Sequence, residues 1–194
     1  MGQDWRDCIV TMIDMVGVKK HAQSGAGSAL MRRFQALVAR QTESLTSSVA
    51  RVYVWNDSVL LLSYVDDTVA SFESAMRNAE HLKRCIDTIA SSYGIAVKGR
   101  AFPPAGNAQF RNSRLTVIEA SSWAMANCFE IENALGRKQK SWYIDSRIVR
   151  KIRTLQSYEN EKVNLLPDGR ARQVCVFGGY LWDELEASGL GASR

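Results

Sequence analysis

A chain of 194 residues that is 46% hydrophobic can bury the core of one domain with a small appendage, and its net charge of +5 suits an anionic substrate without singling out nucleic acid. No segment is long and apolar enough to cross a bilayer, and Asp4 and Asp7 interrupt the N-terminus where a secretory signal carries only basic residues, so a cytoplasmic protein with no membrane association is expected. The four cysteines, Cys8, Cys85, Cys128 and Cys175, sit in apolar segments without metal-ligand spacing, which argues against a zinc module and reads as reduced core thiols.

In chain order, the first element is a strand over residues 8–16, a short and nearly continuous apolar run that Gly17 ends. A helix begins at Ser28, with Leu30, Met31, Phe34, Leu37 and Val38 on one face and Arg32, Arg33 and Arg40 off it, and fades into the Thr/Ser-rich stretch at 42–48. Residues 49–55 and 59–65 form a hairpin around Asn56-Asp57. The next helix is expected over 68–93, with Phe72, Ala75, Met76, Ala79, Leu82, Ile86 and Ile89 as its buried stripe and Gly94 as its stop. Residues 95–102 make a fourth strand, closed by Pro103-Pro104. The order to this point is β-α-β-β-α-β, an α+β, ferredoxin-like core.

Beyond it, 106–114 reads as a polar, arginine-bearing loop and 117–135 as a helix ended by Gly136. A short strand at 142–144, a basic helix at 146–155 and a last hairpin form a C-terminal extension; the hairpin joins 162–166 to 172–180 across Pro167-Asp168-Gly169. The domain is expected to span 8–182, and a flexible tail to occupy 187–194.

Two aspartates stand out because of where this topology puts them. Asp14 follows the apolar run Cys8-Ile9-Val10-Thr11-Met12-Ile13, and Asp57 lies in the turn Trp55-Asn56-Asp57-Ser58. In a split βαββαβ unit, the end of strand one and the turn joining strands two and three fall at one edge of the sheet, so the two carboxylates are expected to meet. Adjacent carboxylates repel unless cations lie between them, and hard oxygen ligands of this kind suit magnesium or manganese holding a triphosphate. Taken singly, an acid at a strand end is usually a solvated carboxylate, and Asn-Asp between strands is an ordinary turn. Asp14 differs in its setting, because Ile13, Met15 and Val16 would partly desolvate it, a cost that a bound cation removes.

The segment Ile13-Asp14-Met15-Val16-Gly17 resembles the first metal motif of the class III nucleotide cyclases, in which strand one ends in an Asp followed by an apolar residue and a Gly. Asn56-Asp57 resembles that family's second metal motif, usually Gly-Asp, and the element order extends the resemblance over residues 8–182. The resemblance implies a class III cyclase fold in which Asp14 and Asp57 hold two divalent ions, Mn2+ or Mg2+. One ion would lower the pKa of the nucleotide's ribose 3′-hydroxyl and the other would bind the β- and γ-phosphates; the 3′-oxygen then attacks the α-phosphorus and pyrophosphate leaves. It further implies the Met15 carbonyl as an extra metal ligand and the amides of Val16, Gly17 and Val18 as a phosphate cradle, with Lys19 and Lys20 as added charge. A head-to-tail homodimer with composite sites is expected on the same ground.

In the resembled family the residue four positions before the second metal Asp faces the base, and purine-specific members carry Lys or Glu there. Here that residue is Tyr53, and strand alternation puts Tyr53, Trp55 and Asp57 on one side. A neutral phenol fills space that a purine would need and offers one hydroxyl to a smaller ring. This resembles the pyrimidine cyclases of the Pycsar antiphage systems. That resemblance implies UTP as substrate and cyclic UMP as product, with CTP and cyclic CMP as the alternative, and a separate effector that senses the cyclic nucleotide.

The chain departs from the better-known cyclases on the helix after strand four, where an Asn and, four residues on, an Arg stabilise the reacting ribose and phosphate. Ala126 and Glu130 stand at those places, and Asn127, one residue off, is the substrate-binding candidate instead. The missing positive charge is sought in Lys98, Arg100, Arg111, Arg114, Arg170, Arg172 or a partner chain. Two further readings stay open. One is a cyclase-like domain that binds nucleotide without turnover, motivated by Ala126 and Glu130. The other is an RNA-binding βαββαβ domain, motivated by the basic run at 147–153. Against RNA, strand one has no aromatic residue for base stacking and ends in an acid that repels phosphate.

Overall fold

The computed structural model describes residues 5–18, 23, 26–46, 48–101, 123–135, 140–152, 160–164, 171–185 and 187. Several sequence expectations lie outside these residues: Lys19 and Lys20, Pro103-Pro104, the loop at 106–114 with Arg111 and Arg114, Gly136, the turn Pro167-Asp168-Gly169 with Arg170, and the tail beyond residue 187.

The first strand, β1 (Arg6–Met15), is buried without a break from Cys8 to Ile13, which is why its apolar run does not alternate: both faces of the sheet are covered there. Helix α1 (Gly27–Thr42) turns Phe34 and Val38 inward, as its periodicity predicts. The hairpin β2 (Val49–Trp55) and β3 (Ser58–Tyr64) closes on Asn56-Asp57, with Asn56 at φ 52°, the left-handed conformation that a two-residue turn of this kind requires. Helix α2 (Val69–Asp87) starts at Thr68, whose hydroxyl accepts the Ser71 amide at 3.2 Å.

The structure corrects the expected end of α2. The helix stops at Asp87 rather than near Tyr93, because the Asp87 carboxylate accepts both the amide and the hydroxyl of Ser92, at 2.8 and 2.7 Å, and turns the chain into β4 (Ser92–Ala101). Gly94 is therefore no helix stop. It lies inside β4, paired with Ile13 and Trp142, where a Cβ would fall 2.2 Å from the Trp142 ring. Its absent side chain makes room for the indole.

After β4 come α3 (Trp123–Ala134), β5 (Trp142–Asp145), α4 (Ser146–Ile152), β6 (Asn160–Asn164) and β7 (Ala171–Phe177). A last helix, α5 (Leu181–Leu185), has no counterpart in the sequence reading; it buries Leu181, Trp182 and Leu185. All strands among the described residues join one seven-stranded sheet in the order β2-β3-β1-β4-β5-β7-β6. The first four are antiparallel in the arrangement of a ferredoxin-like core, and the C-terminal extension widens the same sheet through a parallel β4–β5 pair.

Buried side chains divide the helices between the two faces. Ile13 and Met15 pack with Phe34 of α1 and Leu82 of α2, and Ile9 packs with residues of α2, α4 and α5. Cys8, Val10 and Met12 point the other way, to Ala124, Cys128 and Ile131 of α3. At Gly99, α3 comes so close that a Cβ would lie 2.7 Å from that of Ala124. The face of β1 that α3 covers is also the face of Asp14, which sets the geometry of the site.

Candidate active site

The hairpin register aligns residues across the sheet in rows. Trp55 pairs with Ser58, Ser58 with Asp14, and Asp14 with Tyr93, so four side chains from β2, β3, β1 and β4 share one row on the α3 face. The next row is Tyr53, Leu60, Met12 and Ile95, and Tyr53 is half-buried against that cluster. Tyr53 therefore faces the same side as Asp14, one row away, or about 7 Å along the strand. Trp55, on the edge strand, is 67% exposed.

Asp57 closes the hairpin against the end of β1. Its carbonyl accepts the Met15 amide at 3.1 Å, which ties the turn to the peptide that follows Asp14. The turn thus lies beside the end of β1, and Asp57 is close enough for its charge to raise the Asp14 pKa. Immediately beyond, Gly17 adopts φ 81° with open space where a Cβ would be, a backbone that glycine allows and other residues resist. Of the three amides expected to form a phosphate cradle, that of Val16 is committed to the Ser91 carbonyl at 2.8 Å. Its side chain is half-exposed, whereas Val18 packs on the α1–α2 core.

Asp14 itself is held from two sides. Ser58 donates to Oδ1 at 2.5 Å and Tyr93 to Oδ2 at 2.8 Å. Burial pushes the Asp14 carboxyl above the usual carboxylate range; the two hydroxyl donors offset part of this, and the charges of Asp57 and Glu132 add to it. The Tyr93 hydroxyl also lies 2.9 Å from Oε1 of Glu132, which α3 brings over the sheet. Burial first, and then these two carboxylates, push the Tyr93 phenol far above its ordinary value, so it is a permanent donor. The chemistry of this donor set fits a hard cation, since among the described residues Asp14 is an acid kept among acids by hydroxyl donors. Among the described residues no three His, Cys, Asp or Glu side chains converge into a cage. Magnesium-type sites need none, because they use one or two carboxylates and leave the other positions to phosphate and water.

Ser58, Tyr93 and Glu132 are the site residues that the sequence reading missed. Tyr93 was hidden by the overlong helix, whereas pairing Asp14 across to β4 would have found it. Asn127 is half-buried on α3, five residues before Glu132, with Ala126 exposed and Glu130 half-buried. Lys98 and Arg100 do not reach the site from within the chain. They alternate with Tyr93 onto the opposite face of β4, Lys98 over the Phe72 ring, and both pair with Asp7 at the far end of β1. The basic helix α4 is likewise engaged internally: Arg147 with Asp145 and the Lys98 carbonyl, Lys151 with Asp67.

The sequence matches no protein-family model and no curated protein. Its fold, however, is shared with solved structures. The adenylyl cyclase CyaB from P. aeruginosa superposes with a TM-score of 0.64 at 9% identity, covering 92% of this chain and 97% of that one. The guanylyl cyclase Cya2 does so with a TM-score of 0.61 at 12% identity, covering 94% and 98%. The fold is that of the class III nucleotide cyclases. A bacterial light-regulated adenylyl cyclase is also similar, with a TM-score of 0.63 at 11% identity; there the match covers 98% of this chain and 58% of the other. In this chain Asp14 ends β1, Asp57 lies in the β2–β3 turn, and Ala126 and Glu130 lie on α3, the helix that follows β4. No helix among the described residues is long and apolar enough to cross a membrane.

Proposed function

We propose that the chain is a pyrimidine nucleotide cyclase that converts UTP to 3′,5′-cyclic UMP and pyrophosphate. The observation that carries this reading is the row geometry: Asp14 and Asp57 stand together at one sheet edge, and Tyr53 faces the same side one row away. Asp14 and Asp57, with the Met15 carbonyl, are the residues that would hold divalent ions, Mn2+ or Mg2+. When bound, such ions supply Lewis-acid stabilisation of phosphate charge and a lowered pKa at the ribose hydroxyl. Ser58 and Tyr93 donate to the Asp14 carboxylate, which favours its ionised form and fixes its direction. The Gly17 and Val18 amides are phosphate donors at the turn, and Asn127 contacts the ribose. Tyr53 fills the outer part of the base pocket, which favours a six-membered ring over a purine. A homodimer supplies from its second chain the positive charge that Ala126 and Glu130 do not. By its likeness to the Pycsar cyclases, the product is a second messenger of antiphage defence read by a separate effector.

The test is incubation of the purified protein with Mn2+ and, separately, UTP, CTP, ATP and GTP, with products identified by mass. Cyclic UMP is the expected product; cyclic CMP would move the assignment to cytidylate, and a cyclic purine would overturn the role of Tyr53. Tyr53→Lys is expected to lower pyrimidine use by about ten-fold, the loss of one well-placed hydrogen bond and a shape fit. A second reading, nucleotide binding without turnover, is favoured by Ala126 and Glu130. Metal-dependent nucleotide affinity with no pyrophosphate release would establish it instead.

A further inference from the structure

Tyr93 has one hydroxyl proton and two carboxylates to give it to: Oδ2 of Asp14 at 2.8 Å and Oε1 of Glu132 at 2.9 Å. Its ring is fixed in the core between β4 and α3, so the hydroxyl cannot follow either acid. A phenol donates to one acceptor at a time, and whichever carboxylate holds the proton withdraws it from the other. Asp14 has its second oxygen on Ser58, and its described neighbours are these two hydroxyls and the acids Asp57 and Glu132. Glu132 arrives from a different element, the helix whose Cys128 thiol also contacts the Val10 carbonyl of β1. The position of α3 on the sheet thus decides how strongly the phenol is drawn away from Asp14.

We infer that Tyr93 is a positioning residue for the cation-binding carboxylate, and that Glu132 acts through it: by competing for the phenol's proton, Glu132 frees an Asp14 lone pair for a cation and couples α3 to the site. Glu132 is no cation ligand in this scheme. The inference rests on the proposal that Asp14 and Asp57 hold divalent ions. With the cation absent the phenol is shared; with a cation on Asp14 it turns to Glu132, a rotation of one O–H bond with no proton transferred.

The experiment is a double-mutant cycle read by Mn2+ binding to the full chain, following free Mn2+ by electron paramagnetic resonance with no nucleotide present. Wild type, Tyr93→Phe, Glu132→Gln and the double variant are compared, with Asp14→Asn as the control that must lose the site. In wild type, Glu132→Gln removes a charge and also replaces a carboxylate by a weaker amide acceptor, which shifts the phenol toward Asp14; with Phe at 93, it removes the charge alone. The weakening caused by Glu132→Gln is expected to be about three- to ten-fold larger when Tyr93 is present than when it is absent. Equal factors in the two backgrounds would overturn the inference, since Glu132 would then act as a distant charge only. Tyr93→Phe keeps the buried ring, and near-ultraviolet circular dichroism verifies that each variant is folded. If wild type binds no Mn2+, or Asp14→Asn binds as well as wild type, the metal-site reading itself fails and the inference falls with it. Binding with additive effects removes the inference alone.

Discussion

Asp14→Asn tests whether the β1 carboxylate is kept for chemistry at the expense of the fold. At the three contacts joining Ser58, Asp14, Tyr93 and Glu132, the native protein has two hydroxyl protons for three carboxylate contacts. The new amide reorders them. Its Nδ2 donates to the Tyr93 oxygen, Tyr93 donates to Glu132 alone, and Ser58 still donates to the remaining oxygen, so each contact has its own proton. One hydrogen bond is gained, worth about 1 kcal/mol, and a half-buried charge beside two other acids is removed. For a domain of this size, about 1 kcal/mol is about 2–4 °C in Tm. The sign with pH follows from the raised Asp14 pKa. Because the folded protein holds this proton more tightly than the unfolded chain, Asp14 destabilises the fold above its folded pKa, and the penalty disappears as pH falls through that value. Thermal unfolding in a chelator at pH 7 is therefore expected to show the variant about 2–4 °C more stable, with the gap closing toward acid pH. An equal or lower Tm at pH 7 would refute the proton count and with it the description of Asp14 as a strained, desolvated acid.

Two other substitutions test the framework that carries the site. Gly94→Ala drives a methyl into the Trp142 ring at 2.2–2.3 Å, with both groups fixed in adjacent strands, so a loss of about 3 kcal/mol in a urea titration is expected; a loss under about 1 kcal/mol would mean that β4 and β5 are not so closely paired. Thr68→Ala removes the N-cap of α2 and is expected to cost about 1 kcal/mol, with Thr68→Ser restoring most of it. A midpoint unmoved by alanine would show that the Ser71 amide finds another acceptor.

The fold was legible in the sequence wherever local pattern and tertiary role agree. The helical face of Phe34 and Val38, the Asn56-Asp57 turn and the unbroken apolar run of β1 each state their environment in their own residues. The stretch from Asp87 to Gly94 does not. Ile86 and Ile89 continue a helical period, and only the Asp87 carboxylate capturing Ser92, a contact formed by a turned chain, ends it. Gly94 then looks like a helix stop when its meaning is a distant tryptophan. The candidate site divides in the same way: Asp14 and Asp57 are legible because the motif and the topology name them together. Tyr93 and Glu132 are not, since their roles depend on strand register and on which face α3 covers.

β1 carries an acid near each end, and the way each is held separates structure from function. Asp7 is solvated and meets two cations, Lys98 and Arg100, the ordinary solution for a strand-end carboxylate at small energetic consequence. Asp14 is more deeply placed and meets hydroxyls and acids, an arrangement that fixes the carboxylate's direction without neutralising it. If Asp14 served only the fold, a lysine or arginine from the neighbouring strand would be the cheaper partner, as Lys98 and Arg100 demonstrate at the other end of the same strand pair. Hydroxyl donors leave the negative charge available to a cation. The asymmetry along one strand is what the proposed cation-binding role of Asp14 requires: among the described residues, the partners of Asp14 are hydroxyls and acids.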